Sequence, residues 1–333
     1  MEKVALGKSE VKVCPVTFGA WAIGGWMWGG ADRKDALDAL DTALDKGMTT
    51  IDTAPVYGFG RSEEIVGKAI KGKREKVEIL TKYGLRWDTD QGAFYFKTRD
   101  NQGKPVSLHK SASRESVIAE CEQSLKRLGT DYIDLYQIHW PDPTTPIDET
   151  MEAVQRLIEQ GKVRAAGVCN YDASQASEAA SSLLLASDQV PYSMVKRNIE
   201  EELVPWCRDN DVSILAYSPL QRGLLTGKVT PGYKFNAGDT RPFSHYFSEE
   251  NLVRINGFLD DLKPIAEAHD ASLTQLVIRW TLQQPGITVA LVGARNRAQV
   301  LDNAGALDFE LSDEEIRQIN DKLDKLDLIN QTS

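Results

Sequence analysis

The chain has 333 residues, 41% of them hydrophobic and 26% charged, with a formal net charge of −10 at pH 7. That length suits one large α/β barrel or two ordinary domains, and a core of this size needs no disulfide or metal staple. The acidic balance excludes a general nucleic-acid binder, which needs a basic surface to displace counterions, while leaving room for a local basic pocket that takes a phosphorylated cofactor.

An N-terminal β-hairpin is predicted over about Val4–Val13, then a strand near Val13–Phe18 and a helix over Arg33–Lys46, where Leu37, Leu40, Ala43 and Leu44 recur at helical spacing. A strand near Met48–Ile51, a helix over Ser62–Lys71 and a strand over Val77–Thr81 follow. The basic run Lys68–Lys76 reads as a solvated helix end and turn. A polar insertion, Gly84–Ala112, leads to a helix over Ser113–Leu128 with Ser113 as its N-cap. Further strands are expected at Tyr132–Ile138, Val163–Cys169, Ser187–Val190, Val212–Tyr217 and Ile287–Val292. Helices fall between them at Ile147–Gln160, Ala173–Leu184 and Ile199–Asn210, then at Glu249–His269 and Ser272–Gln284. A last helix, Asp313–Leu326, is expected outside the barrel. Eight strands alternating with helices favour a closed (β/α)8 TIM barrel, one domain over 1–333, rather than an open doubly wound sheet. The segments 84–112 and 221–245 are too long for plain connectors, and their Trp, Phe and Tyr residues point to lid loops on the C-terminal face.

Four cysteines, Cys14, Cys121, Cys169 and Cys207, show no metal or redox-pair spacing and suit a reducing compartment. The first eight residues lack an apolar signal core, and no apolar run approaches the roughly 20 residues a bilayer span needs. A cytoplasmic protein without a membrane partner is expected. No metal site is expected either: His139 has no partner at ligand spacing, and His109, His245 and His269 read as surface or loop residues.

Polar residues close several of the strand-like runs. Asp52 and Tyr57 follow Thr49-Thr50-Ile51, Lys82 follows Leu80-Thr81, and His139 follows Gln137-Ile138. In a strand–helix repeat such positions converge on one face. A lone Asp after a strand is usually a helix cap and a Tyr five residues on is often a core lid, so it is the register with Lys82 and His139 that marks chemistry. A free phenol, with a pKa of about 10, is a poor acid at neutral pH. A nearby ammonium is expected to lower that value: Lys82 for Tyr57, with Asp52 orienting Lys82 and His139 orienting a substrate carbonyl or relaying protons at low pH.

The motifs Gly19-Ala-Trp21, Asp52-Thr-Ala-Pro-Val-Tyr57, Thr81-Lys82, the run from Ser124 through Gly129-Thr-Asp-Tyr to His139-Trp-Pro, and Tyr217-Ser-Pro-Leu220 together resemble the aldo-keto reductases, over about Val13 to Leu311. Tyr57-Gly-Phe-Gly-Arg-Ser62, His139-Trp-Pro-Asp-Pro143 and Arg222-Gly-Leu-Leu-Thr-Gly-Lys228 are closest to the bacterial general-stress branch, family 11, and imply a stress-response setting. The resemblance implies hydride transfer from NADPH to aldehydes and ketones, with Tyr57 as acid and Asp52, Lys82 and His139 completing a tetrad. It places Asn170 and Gln189 at the nicotinamide amide and Tyr217 against its ring, with Ala20, Trp21 and Asp52 also bordering the cofactor. Cys169 stands where the family usually has Ser, so one weaker hydrogen bond is expected there.

Ser218, Pro219, Leu220, Arg222, Gly223 and Lys228 correspond to the loop over the pyrophosphate. Gly293, Arg295, Gln299 and Asn303 correspond to the adenosine 2′-phosphate end, which favours NADPH over NADH. No Gly-x-Gly-x-x-Gly fingerprint exists, because Glu63 occupies the third Gly position after Gly58-Phe-Gly60. Trp21 and Trp140 match substrate-pocket positions, with Trp28 and Trp87 as further candidates for a small-molecule carbonyl site. Two rival readings stay open: an NADP(H)-binding regulatory subunit like the potassium-channel β subunits, and a barrel isomerase or aldolase using Lys82 as a Schiff-base amine. The absence of an added segment before the hairpin argues against the first, and the nearness of Asp52 against the second. The aromatic 84–112 insertion either gates the pocket or mediates assembly, so a homo-oligomer is possible.

Overall fold

The computed structural model describes residues 1–329. Eight strands form a closed, all-parallel barrel in chain order: β1 (Val16–Gly19), β2 (Thr50–Asp52), β3 (Glu78–Tyr83), β4 (Ile133–Ile138), β5 (Val163–Cys169), β6 (Leu185–Pro191), β7 (Ser213–Tyr217) and β8 (Ile287–Gly293). The (β/α)8 expectation is met, with helices at Arg33–Asp45, Arg61–Ala69, Arg114–Leu128, Ile147–Glu159, Ala173–Ser182, Leu203–Asp209 and Leu273–Leu282 alternating with the strands. Among the described residues no helix is long and apolar enough to cross a membrane.

The interior is built in layers because alternate strand residues face inward. Leu80, Leu135, Leu215 and Val289 pack at one level, and the hairpin Val4–Ala5/Lys12–Val13 closes the barrel beneath them with Leu6, Val11 and Val13. Two residues further along β3 and β4 stand Lys82 and Gln137, and His139 lies two beyond Gln137. The alternation that buries leucines below therefore delivers polar groups above. Between the barrel and its helices, apolar residues such as Ile51 and Ile79 of the strands pack with Ile65 and Val66 of the helix that follows β2.

The 84–112 segment is not a loop. After the short strand Leu85–Arg86, the strands Ala93–Arg99 and Pro105–Lys110 form an antiparallel hairpin, making a three-stranded sheet over the barrel mouth. His109, expected at the surface, is buried in this sheet opposite Phe94. The 221–245 segment is irregular as expected, but it winds through 3-10 turns at Gln221–Thr226 and Arg241–Phe243. Helix 199–210 is shorter than expected: a 3-10 turn, Asn198–Glu200, precedes Leu203–Asp209.

The small sheet is rooted by Glu120, whose Oε1 accepts from the Gly84 N–H at 3.0 Å and the Ser116 hydroxyl at 3.2 Å, while Oε2 is buried without a partner. Burial pushes this carboxyl up to about 7 from an ordinary 4.5, with the Arg86 guanidinium pulling against it. Folding thus favours the protonated form, so the contribution is complete below the ordinary value and is lost as pH rises through about 7. The penalty at pH 8 is about 3 kcal/mol. Glu120→Gln keeps an acceptor and removes the charge, so it is expected to raise Tm at pH 8 and leave it unchanged at pH 4. Equal Tm shifts at both values would show that the carboxyl is not the cause.

Candidate active site

Lys82 is fully buried, and its Nζ donates to Asp52 Oδ1 at 2.6 Å and to the Thr53 carbonyl at 3.0 Å. Burial works against the ammonium, but Asp52, then Tyr57 and Cys169, outweigh it and hold Lys82 above the ordinary lysine range. A Schiff-base role needs a neutral amine, so this environment removes that reading. Asp52 Oδ2 accepts from the Gln189 amide at 2.8 Å and the Gln137 amide at 3.4 Å, and Cys169 Sγ lies 3.9 Å from Gln137 Oε1. The carboxylate is thus held from both sides.

Tyr57 stands on the turn after β2. The close approach of this turn to the loop after β1 requires glycine twice: a Cβ on Gly24 would lie 2.7 Å from the Tyr57 carbonyl, and one on Gly58 would lie 2.3 Å from the Gly24 carbonyl. The Lys82 ammonium lies 5.0 Å from the centre of the Tyr57 ring, and His139 meets that ring edge-on at 5.6 Å between centroids. Burial pushes the phenol up to about 12; Lys82 pulls it down, but Asp52 and Cys169 add to the rise. The sequence-based expectation that Lys82 lowers the phenol overall is therefore corrected: desolvation wins. Burial, and after it Lys82, keeps His139 well below the usual imidazole value, so it is neutral and suited to a hydrogen bond rather than to a low-pH relay.

Asp52, Tyr57 and His139 line a cavity of about 490 Å3, with Lys82 buried behind Asp52. At their end it is walled by Trp21, Trp28, Tyr95, Phe96 and Trp140. The cleft then runs past Asn170, Gln189 and Tyr217 to Gly293, Arg295, Gln299 and Asn303. Asn170 is tied at both ends of its amide, donating to the His139 carbonyl at 2.9 Å and accepting from the Tyr217 hydroxyl at 3.0 Å. Met27, Asn170, Ser218 and Arg222 all have positive φ and all line the cleft. Strained backbone gathered in one place is characteristic of a functional site.

At the far end the helix Arg297–Ala304 begins with Asn296 as N-cap, and Gln299 Oε1 accepts from the Arg295 N–H at 2.8 Å. Arg295 forms no ion pair among the described residues, whereas Lys228 is paired with Asp302 at 3.3 Å. No three His, Cys, Asp or Glu side chains group as metal ligands among the described residues.

The chain matches the Aldo/keto reductase family over residues 15–324. It belongs to that family. An aldo-keto reductase of Bacillus subtilis, YhdN, is 40% identical over 323 residues, covering 96% of this chain and 93% of the relative. An NADH-specific methylglyoxal reductase of Escherichia coli is 39% identical over 319 residues, covering 94% and 95%. The solved structure of a glycerol dehydrogenase from Gluconobacter oxydans superposes with a TM-score of 0.87 at 36% identity, covering 99% of this chain and 98% of that one. These relatives agree with the bacterial branch indicated by the motifs. As an aldo-keto reductase the protein is an oxidoreductase acting on carbonyl compounds with a nicotinamide cofactor.

Most of the residues expected at this aldo-keto reductase site border one cleft, with three departures, the first being Lys82, which is fully buried and meets the cleft wall only through its bond to Asp52. Ala20 is fully buried behind the cleft, its carbonyl accepting from the Ser62 hydroxyl, and Gly19 takes its place in the wall. Trp87 packs edge-on against Phe59 at 5.6 Å, away from the wall. Trp26, Met27, Tyr95, Phe96 and Arg241 line the cleft without a sequence-based role, although the aromatic richness of 84–112 pointed to Tyr95 and Phe96.

Proposed function

We propose that this protein reduces aldehydes and ketones to alcohols using NADPH, with Tyr57 donating the proton. The observation that carries the reading is the meeting of a protonated phenol, a buried ammonium–carboxylate pair and a neutral imidazole at the closed end of one long cleft. The bound cofactor supplies the hydride. Tyr57 holds its proton toward the carbonyl oxygen, where negative charge develops and where stabilisation counts most. The neutral His139 orients the same oxygen, while Lys82 and Asp52 fix the charge behind the phenol.

The cleft suits a dinucleotide without a Rossmann turn. Its polar lining begins with Asn170, Gln189 and Tyr217, and the backbone of Ser218–Gly223 follows with several left-handed residues. The uncommitted Arg295 at a helix start gives the other end its positive charge. Lys228 reaches a phosphate only by sharing Asp302 or leaving it. One relative is named NADH-specific, so the choice between the two cofactors rests here on Arg295. Arg295→Ala is expected to weaken NADPH binding about tenfold and NADH binding less than about twofold, read by titrating cofactor fluorescence. Equal losses would remove the phosphate assignment.

The regulatory-subunit alternative predicts tight NADPH binding with turnover too slow to matter. Steady NADPH consumption across a panel of aldehydes decides between the two, since a regulatory subunit would bind NADPH and consume almost none.

A further inference from the structure

Three donors at the Tyr57 end of the cleft are buried and unpartnered: Trp21 Nε1, Trp28 Nε1 and Arg222 Nε. They belong to one cluster. Trp21 stacks on Tyr57 with ring centroids 6.0 Å apart and meets Trp28 edge-on at 5.4 Å. The Arg222 guanidinium lies 5.3 Å from the Trp21 ring centre and 5.0 Å from that of Trp28. Its Nη2 donates to the Met27 carbonyl at 3.2 Å and the Thr240 hydroxyl at 2.9 Å, both neutral acceptors. The neighbouring Arg241 takes the nearby carboxylate, Asp239, at 2.7 Å. Arg222 is therefore a half-buried cation, its Nε out of reach of solvent, with no carboxylate against it among the described residues. Consistent with that, burial draws its guanidinium down to about 10, while the more distant Asp239 resists.

Native proteins rarely leave one buried donor unpaired, and three together call for an acceptor from outside the chain. A surplus positive charge in the same cluster calls for that acceptor to be anionic. The cluster abuts the phenol, whereas Arg295 serves the opposite end of the cleft. We propose that Trp21, Trp28 and Arg222 form a wall that selects carbonyl substrates carrying a carboxylate a few bonds from the reacting carbon. This assignment, which rests on the reductase reading, gives the Arg222 side chain to the substrate instead of to the cofactor pyrophosphate.

The test compares 4-oxobutanoate with its methyl ester, which has the same chain and carbonyl but no charge. Wild-type kcat/KM is expected to favour the carboxylate by about tenfold or more, the worth of a charge-assisted hydrogen bond. Arg222→Gln should bring that ratio to about one, and Trp28→Phe should lower it by about threefold by removing a single neutral donor. A wild-type ratio of one or less, or a ratio unchanged in Arg222→Gln, overturns the proposal. So does a weakening of NADPH binding in Arg222→Gln with the substrate ratio intact, which would return Arg222 to the cofactor.

A second readout needs no turnover. Butyrate, but not butyramide, should perturb the fluorescence of the wild-type tryptophans, and Arg222→Gln should abolish the response. If neither carbonyl is reduced yet butyrate still binds through Arg222, the reductase reading fails while the anion wall stands. If butyrate does not bind, the wall itself is wrong.

Discussion

Tyr57→Phe is expected to lower the rate of carbonyl reduction by about 10^3-fold while changing NADPH affinity by less than about twofold. The substitution removes one oxygen and keeps the ring that packs against Trp21 and His139. Pocket shape is thus retained and proton donation is lost. Stopped-flow turnover and cofactor titration on the same preparation separate the two effects. Residual activity above about a tenth of wild type would move the acid elsewhere, since general acid catalysis contributes at least 10^2-fold. The proton is available throughout the usual assay range because the phenol is pushed up to about 12. Reduction should therefore be level from about pH 6 to pH 10, and alcohol oxidation, which needs the phenolate, should rise about tenfold per pH unit over the same range.

Lys82→Met is the second large effect, and it acts on folding as well as on chemistry. It leaves Asp52 buried with two amide partners and no cation. Removing one member of a buried ion pair costs about 3–5 kcal/mol, whereas replacing both by apolar groups is often neutral. The single variant should lose that much in urea unfolding, and Asp52→Leu with Lys82→Met should regain most of it. Both should be inactive, because the charge behind Tyr57 is gone in each. A single variant as stable as wild type would show that the pair is not held as tightly as its 2.6 Å contact indicates.

The barrel was legible because its strands carry continuous apolar runs and its helices a 3.6-residue period, and the polar cluster because Asp52, Lys82 and His139 stand at or just past the ends of those runs, with Tyr57 on the turn after the first. The small sheet over the mouth was not. Its strand Ala93–Arg99 shifts register between Phe94 and Phe96, which places Tyr95 and Phe96 side by side over the cleft and breaks the two-residue alternation by which a strand is recognised. The direction of the Tyr57 shift was also hidden. The sequence lists an ammonium and a phenol but not the depth at which they are buried, and desolvation outweighs the Lys82 charge. Ala20 and Trp87 were misplaced for a related reason: a motif fixes position along the chain, while the twist of the adjoining turn decides which neighbour, Gly19 or Ala20, faces the cleft. The pairing of Asp239 with Arg241, which leaves Arg222 uncompensated, arises inside an irregular loop with no period to betray it.

The most direct measurement is the fate of deuterium from NADPH labelled at its hydride-donating carbon, with an aldehyde as acceptor in ordinary water. The expected product carries the label on the carbinol carbon, forms at wild-type rates only when Tyr57 is intact, and takes the hydroxyl proton from solvent by way of the phenol. Unlabelled alcohol, or no alcohol at all from a protein that binds NADPH, would contradict hydride transfer at this site.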